Sequence, residues 1–402
     1  MNQNAAIAVV GTFDSKGEEH LFLKERIEER GSRALTINVG TKGPSPFPAD
    51  IDLYQEMIKD LKGSAVSRDE AVQAILLRAQ ELMGELYQKE AISGIISAGG
   101  GTGTHLGTSI MHVLPLGVPK VMVSTVASRN MAKTVGTKDI TMIHSVVDLL
   151  GINSISGKIL DRAAGAVCGM VKDQWEPHSE KKRIALTMFG FITQAAEGIK
   201  QSLEEMGYEV IAFHANGTGG MAMEELAAEG RFHGILDLAT HELADELKDG
   251  YCAGIGPERL EPISGRVIPR LVVPGGLDCA VLEFTRQNIP SQFKGRKIFF
   301  YDFRSAIRLN VEETLFLSEQ LADKLNRNPS NIKVLIPVQG WSEADREGGP
   351  LHEPSTSAKL TQTLKQSLSP QIEIKEVNLH INDPSFARLA AGMMDEMLQN
   401  SK

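Results

Sequence analysis

Short apolar runs recur along the chain, and most are followed by a stretch in which apolar residues return every three or four positions. Residues 5–10, 34–39, 92–97 and 120–124 read as strands; Leu23 and Ile27 share one helical face, and 70–87 and 108–113 read as helices. Unbroken apolar strands alternating with amphipathic helices predict a parallel sheet covered on both faces. Right-handed crossovers then make the layer structure doubly wound. The pattern pauses at residues 173–180, a polar stretch containing Pro177, and then restarts. Residues 184–188 and 208–213 read as strands around a helical face of Ala195, Ile199, Leu203 and Met206. Further strands fall at 270–273, 297–300, 333–336 and 372–379, all assigned to a second sheet, and a last helix carries Phe386, Leu389, Met393 and Met397. The expectation is an α/β protein of two Rossmann-like doubly wound lobes, residues 1–175 and 181–402, with mainly parallel sheets.

The restart resembles the beginning. With Ile7 laid over Ile184, Gly31 falls beside Gly207, Gly40 meets Gly217 and Gly43 meets Gly220. Any two βαβ units share such glycines, so duplication and plain structural similarity both account for the match.

Composition narrows the function. At 402 residues the chain is long enough for two domains of ordinary size. The net charge is −9 and aromatics are 5%, which argues against a nucleic-acid surface, where a basic stripe and stacking platforms are wanted. The short run Lys181, Lys182, Arg183 reads as a solvated linker end. Three scattered cysteines, Cys168, Cys252 and Cys279, fit neither a disulfide framework nor a structural zinc site. No apolar stretch approaches the roughly 18 residues that span a bilayer, and the N-terminus lacks a signal-peptide pattern. A cytoplasmic protein is expected.

In open parallel sheets ligands bind at the carboxyl ends of strands. The strand at 92–97 runs into Gly99, Gly100, Gly101, Thr102, Gly103 and Thr104. Such glycines let backbone N–H groups turn toward an anion, and a following helix adds its positive end. The alternative is a tight turn needed only for helix–strand packing. No Walker lysine follows, and GxGxxG is absent from the first-strand position. After the first strand, Gly11 and Thr12 lead to Asp14, Ser15 and Lys16, which offer donors, a positive charge and a candidate Mg²⁺ site near Asp14. The alternative there is a helix cap near Gly17. Ser124 and Thr125, ending the strand at 120–124, are a third candidate wall. In the second lobe His214, His241 and Asp278 lie at strand ends and are the catalytic candidates. The HELAD string at 241–245 lacks the second histidine of a zincin helix.

An ordered set of motifs is more specific than any one loop: GTFDSKGEE at 11–19, the glycine turn, STVAS at 124–128, GTKD at 136–139, SVVDLLGIN at 145–153, FHANGTGGMAMEEL at 213–226, PGGLD at 274–278 and HINDPSFA at 380–387. Together they resemble the family of the tomato mosaic virus resistance protein across nearly the whole chain. That resemblance implies two Rossmann-like subdomains, ATP in the first lobe and a homodimer. It also marks a departure, because relatives carry a His-Asn pair where Phe300 and Tyr301 precede Arg308 here. Three readings follow. One is a protein that binds ATP with Mg²⁺ and acts on a small polar molecule held in the second lobe. Another is a non-catalytic, nucleotide-stabilised interaction module. The third is an isomerase or lyase gripping a phosphorylated metabolite without ATP.

Overall fold

A computed structural model describes residues 5–60, 67–173, 175, 180–263 and 265–400. The chain divides into two compact units, 1–178 and 179–402. Of the polar stretch that interrupts the pattern, residues 174 and 176–179 lie outside the described residues.

The first unit runs β1 (Ala6–Gly11), α1 (Phe13–Glu29), β2 (Ala34–Asn38), β3 (Ile51–Asp52), α2 (Leu53–Asp60), α3 (Arg68–Gln88), β4 (Ile92–Gly99), α4 (Gly101–Met111), β5 (Lys120–Ser124), α5 (Ala132–Val135), β6 (Ile140–His144) and α6 (Ser156–Lys172). Its six strands are all parallel, in the order β3-β2-β1-β4-β5-β6. That is the strand order of the dinucleotide-binding Rossmann sheet. Strand pleating divides the core. Ile7 and Val9 pack with Leu23 and Ile27 of α1 and Leu160 and Val167 of α6, while Ala8 and Val10 pack with Met83 of α3 and Leu106 and Ile110 of α4. Both faces being covered is why these strands read as unbroken apolar runs.

One difference from the sequence reading matters for function. The helix expected from residue 108 begins at Gly101, so the glycine turn is itself the first turn of α4. Glycine and threonine are poor helix formers. The helix forms because Leu106, Ile110 and Met111 are buried against the sheet, and Gly107 lies so close to β4 that a Cβ there would sit 2.7 Å from Ser97 Oγ.

The second unit runs β7 (Arg183–Met188), α7 (Thr193–Glu205), β8 (Glu209–His214), α8 (Thr218–Ala228), β9 (Gly234–Ala239), α9 (Glu242–Lys248), β10 (Arg270–Gly275), β11 (Cys279–Leu282), β12 (Ile298–Phe300), β13 (Ser305–Arg308), α10 (Val311–Asn326), β14 (Ile332–Pro337), α11 (Pro354–Ser367), β15 (Glu373–Val377) and α12 (Pro384–Asn400). Six parallel strands form the sheet β15-β14-β10-β9-β7-β8. In both units the first two strands pair in parallel, β1 with β2 and β7 with β8. The strand at 297–300 does not join this sheet. It belongs, as β12, to a separate three-stranded antiparallel sheet, β11-β13-β12. The short connection from β12 to β13 explains this, since parallel neighbours need a long crossover and these two are only a tight turn apart. Among the described residues no helix is long and apolar enough to cross a membrane.

Candidate functional site

In the first unit β1 and β4 are neighbours, yet α1 and α4 leave them on opposite faces of the sheet. A crevice therefore opens between the loops that follow these two strands. Gly11 ends β1 because the fully buried ring of His20 lies across it; a Cβ there would sit 1.9 Å from Nε2. His20 joins the two loops. Its Nδ1–H donates to the Lys16 carbonyl at 2.6 Å, and Nε2 accepts the Ala98 N–H at 3.3 Å. Burial pushes the imidazole below its ordinary pKa, so the neutral tautomer those partners require is the stable one.

Gly99 packs on the start of α4, where a Cβ would come within 2.8 Å of the Gly103 Cα. Gly100 is the N-cap of α4 and supplies no side-chain acceptor. Two helices are closed by capping boxes, Ser67–Glu70 on α3 and Asn310–Glu313 on α10, whereas α1, α5 to α9 and α11 start, like α4, without a side-chain cap bond. The N–H groups of Gly101, Thr102 and Gly103 meet no acceptor among the described residues. A helix N-terminus left open in this way is suited to an anion.

These groups face a cleft of about 210 Å³ lined by Thr12, Asp14, Ser15, Lys16, Gly100 to Gly103 and Leu106, together with Thr41, Lys42 and Arg68. Lys42 and Arg68 are exposed and have no acidic partner among the described residues. The Lys16 ammonium donates to the Leu149 carbonyl. Asp14 accepts the Lys42 backbone N–H at 2.7 Å, which ties the loop after β2 to the cleft. Phe13 N–H and Gly40 N–H both donate to Asn38 Oδ1, holding the same two loops together. Thr41, Lys42 and Arg68 are absent from the sequence-derived site. The only local signal for the first two is the glycine-flanked GTKG at 40–43, and Arg68 merely follows a helix cap.

Thr104 and the third predicted wall, Ser124 and Thr125, adjoin the glycine turn. Thr104 Oγ1 and Ser124 Oγ are buried and bond each other at 2.7 Å, linking α4 to β5 beneath the cleft. Thr125 donates its backbone N–H to the Gly99 carbonyl at 3.1 Å, and its hydroxyl lies 3.7 Å from where a Cβ of Gly100 would sit.

The second unit gathers its own strand-end residues. Glu224, Asp237, Glu242, Arg259 and Arg270 form a buried ion network: Arg259 bonds Glu242, reaches Glu224 at 3.0 Å and Asp237 at 2.6 Å, and Arg270 reaches Glu224 at 2.5 Å. His241, next to Glu242, is fully buried and stacks on Phe189 with ring centroids 3.6 Å apart. Burial first, then the neighbouring His214 and Arg259, hold it well below its ordinary pKa. His214 and His241 are thus brought together. Asp278 is not part of that pair: it accepts Ser342 Oγ–H at 2.9 Å and lies beside Arg308 and Asp345, with burial raising its pKa to about 7. Tyr301 of the Phe300–Tyr301 pair packs on Phe191 and Phe299 and carries the Arg304 guanidinium over its ring.

Comparison with known proteins follows the same division into two halves. The profile described as Uncharacterised protein family (UPF0261) N-terminal domain matches residues 5–176, and that of the C-terminal domain matches residues 181–398. The chain belongs to the UPF0261 family. A UPF0261 protein of Clostridium tetani is 38% identical over 98% of this chain and 100% of its own length. One from Rhizobium meliloti is 34% identical over 96% of this chain and 97% of its own. The ToMV resistance protein Tm-1(GCR237) of Solanum lycopersicum is 34% identical over 98% of this chain, which matches 55% of the tomato protein. The resemblance drawn from the ordered motifs is therefore a family relationship, and UPF0261 spans both α/β units.

Proposed function

We propose that the cleft between the β1 loop and α4 binds the phosphate groups of a nucleotide, with ATP and Mg²⁺ the ligand that the family resemblance implies. The observation carrying this reading is the uncapped N-terminus of α4, placed at the switch point of a Rossmann-ordered sheet and flanked by Lys16, Lys42 and Arg68. Three free backbone donors and nearby cations suit the charge and shape of a polyphosphate. Asp14 is the cleft's one acidic lining residue and the group that would hold Mg²⁺, directly or through water. The cleft, about 210 Å³ and open on one side, falls below the 300–1,000 Å³ range of pockets for whole drug-sized ligands. It suits the phosphates, with the nucleoside lying outside it. The same small volume favours a second reading, a compact phosphorylated metabolite bound without ATP.

Calorimetric titration of the full chain with Mg-ATP and with sugar phosphates distinguishes the two. Gly101→Val is the informative variant, because a Cβ at Gly101 meets nothing within 4 Å. The valine is expected to leave the fold intact while occupying the space before the donors. Losing two charge-assisted hydrogen bonds at about 1.5–3 kcal/mol each predicts a fall in affinity on the order of 100-fold or more. Heat with ATP that disappears in the variant supports the nucleotide reading; heat only with sugar phosphates supports the second. Absence of heat with both at millimolar ligand, or binding unchanged in the variant, overturns the phosphate site altogether.

A further inference from the structure

A second cluster, in the other unit, plays no part in phosphate binding. His241 and Asp245 lie four residues apart at the start and middle of α9, so their side chains share one face. The helix ends at Asp249 in a left-handed conformation, φ 48°, which turns the chain back on itself. Gly250 then passes so close that a Cβ there would sit 2.8 Å from Asp245 Cγ. This reversal brings Cys252 under the helix. One ligand atom each from His241, Asp245 and Cys252 then lies within 4.8 Å of the others, and all three residues are buried.

The imidazole of His241 points to a missing partner. His241 is 0% exposed, and neither ring nitrogen has a hydrogen-bond partner. A buried imidazole in that condition is rare. It is also held firmly, by the Phe189 stack and by Gly276, whose φ of 72° lets the loop after β10 pass where a Cβ would lie 2.7 Å from His241 Cβ. Asp245, in turn, is fixed in position: its oxygens accept the N–H groups of Cys252 at 2.8 Å and Val281 at 2.7 Å. Yet no lysine or arginine pairs with it among the described residues, although Glu224, Asp237 and Glu242 next to it share Arg259 and Arg270. A buried imidazole with both nitrogens unpartnered, beside a fixed carboxyl and a thiol, is a half-built site.

A cysteine nucleophile is the competing chemistry for such a cluster. It needs a base in contact with the thiol, and here neither nitrogen of His241 has a hydrogen-bond partner, Cys252 included. A divalent cation resolves all three groups at once, since a thiolate and a carboxylate balance its charge and a neutral imidazole completes the set. We infer that His241, Asp245 and Cys252 bind one borderline divalent cation of the zinc type, leaving a fourth coordination position open. The mixed N, O and S donor set excludes magnesium and calcium, which take oxygen ligands. Three protein ligands with one open position is the arrangement of catalytic rather than structural zinc. On binding, the Cys252 thiol loses its proton to solvent and its sulfur bonds the ion; no electrons change hands. Sequence spacing alone conceals the set, because the partner at i+4 is an aspartate rather than a zincin histidine and the cysteine joins only through the turn at Asp249.

The test uses the full chain, freed of any histidine tag and stripped with EDTA, titrated with Co²⁺ as the optical probe. The expected result is saturation at one equivalent with a thiolate-to-cobalt charge-transfer band, reversed by Zn²⁺. Cys252→Ser is expected to abolish the band, whereas Cys168→Ser in the first unit retains it. His241→Gln, a second variant that keeps the side chain's polarity, is expected to weaken cobalt binding on the order of 100-fold or more, since even groups that only orient a ligand cost 10–100-fold. A wild-type protein that shows no thiolate band at millimolar cobalt overturns the inference. So does a band that persists in folded Cys252→Ser, or affinity unchanged in folded His241→Gln, foldedness being read by circular dichroism. Phosphate or nucleotide binding in the first unit is measured separately and does not enter this outcome.

Discussion

Arg259→Leu is expected to lower the stability of the second unit by about 3–5 kcal/mol, the cost of breaking a buried ion pair from one side. Arg259 lies at 0% exposure, and its guanidinium serves three carboxylates, from Glu224, Asp237 and Glu242, as well as the Ala239 carbonyl. Removing it leaves those acids to Arg270 alone, and Arg270 touches only Glu224 and Asp237. Glu242 is then a buried carboxyl with a single backbone donor, Gly217 N–H at 3.2 Å. Leucine returns some apolar burial, but the gain of about 1.5–3 kcal/mol for a buried side chain does not offset an unpaired charge. Total stability for domains is about 5–15 kcal/mol, so the loss is a large fraction of what is available. Trp341 is buried in this unit and the other tryptophan, Trp175, is 83% exposed, so tryptophan fluorescence during urea unfolding reports the second unit. A midpoint within experimental error of wild type would show that the network contributes no net stability.

Gly11→Ala is expected to disable the phosphate cleft and to destabilise the first unit by about 1–3 kcal/mol, the usual range for overpacking. The added methyl would fall 1.9 Å from Nε2, 2.2 Å from Cε1 and 2.6 Å from Cδ2 of His20, and the ring is fully buried. The ring must leave, breaking its bonds to Lys16 and Ala98 and loosening the β1 loop from the end of β4. Adding His20→Ala removes the clash, so the double variant should be more stable than the sum of the single losses implies. Thermal unfolding of the four proteins completes the cycle, and coupling on the order of 1 kcal/mol or more is expected for groups in such contact. Strictly additive losses would show that the loop accommodates the methyl by moving away from His20.

The uneven legibility of the two sites follows from how each is built. The Gly99 to Thr104 turn stands out in the chain because consecutive glycines are visible without a structure, although only Gly99 lies where a Cβ would clash. Lys42 and Arg68 do not stand out, since a surface lysine and a surface arginine look alike whether or not they line a cleft. Thr104 and Ser124 look like ligand donors from their position at strand ends. Only packing shows that their hydroxyls satisfy each other below the site. In the second unit the ion network draws residues from α8, β9, α9, β10 and the loop before β10, and no local pattern links them.

What the chain determines by itself is the succession of strands and helices, the division into two α/β units and the glycine-rich approach of α4 to β4. These are local consequences of side-chain periodicity and of the absence of a Cβ, and both are properties of neighbouring residues. The tertiary structure alone decides that β12 leaves the parallel sheet for an antiparallel one, and that Cys252 returns beneath α9 to meet His241 and Asp245. Each of those depends on which distant segments bury surface together. That choice rests on the summed packing of whole elements, which no short stretch of sequence records.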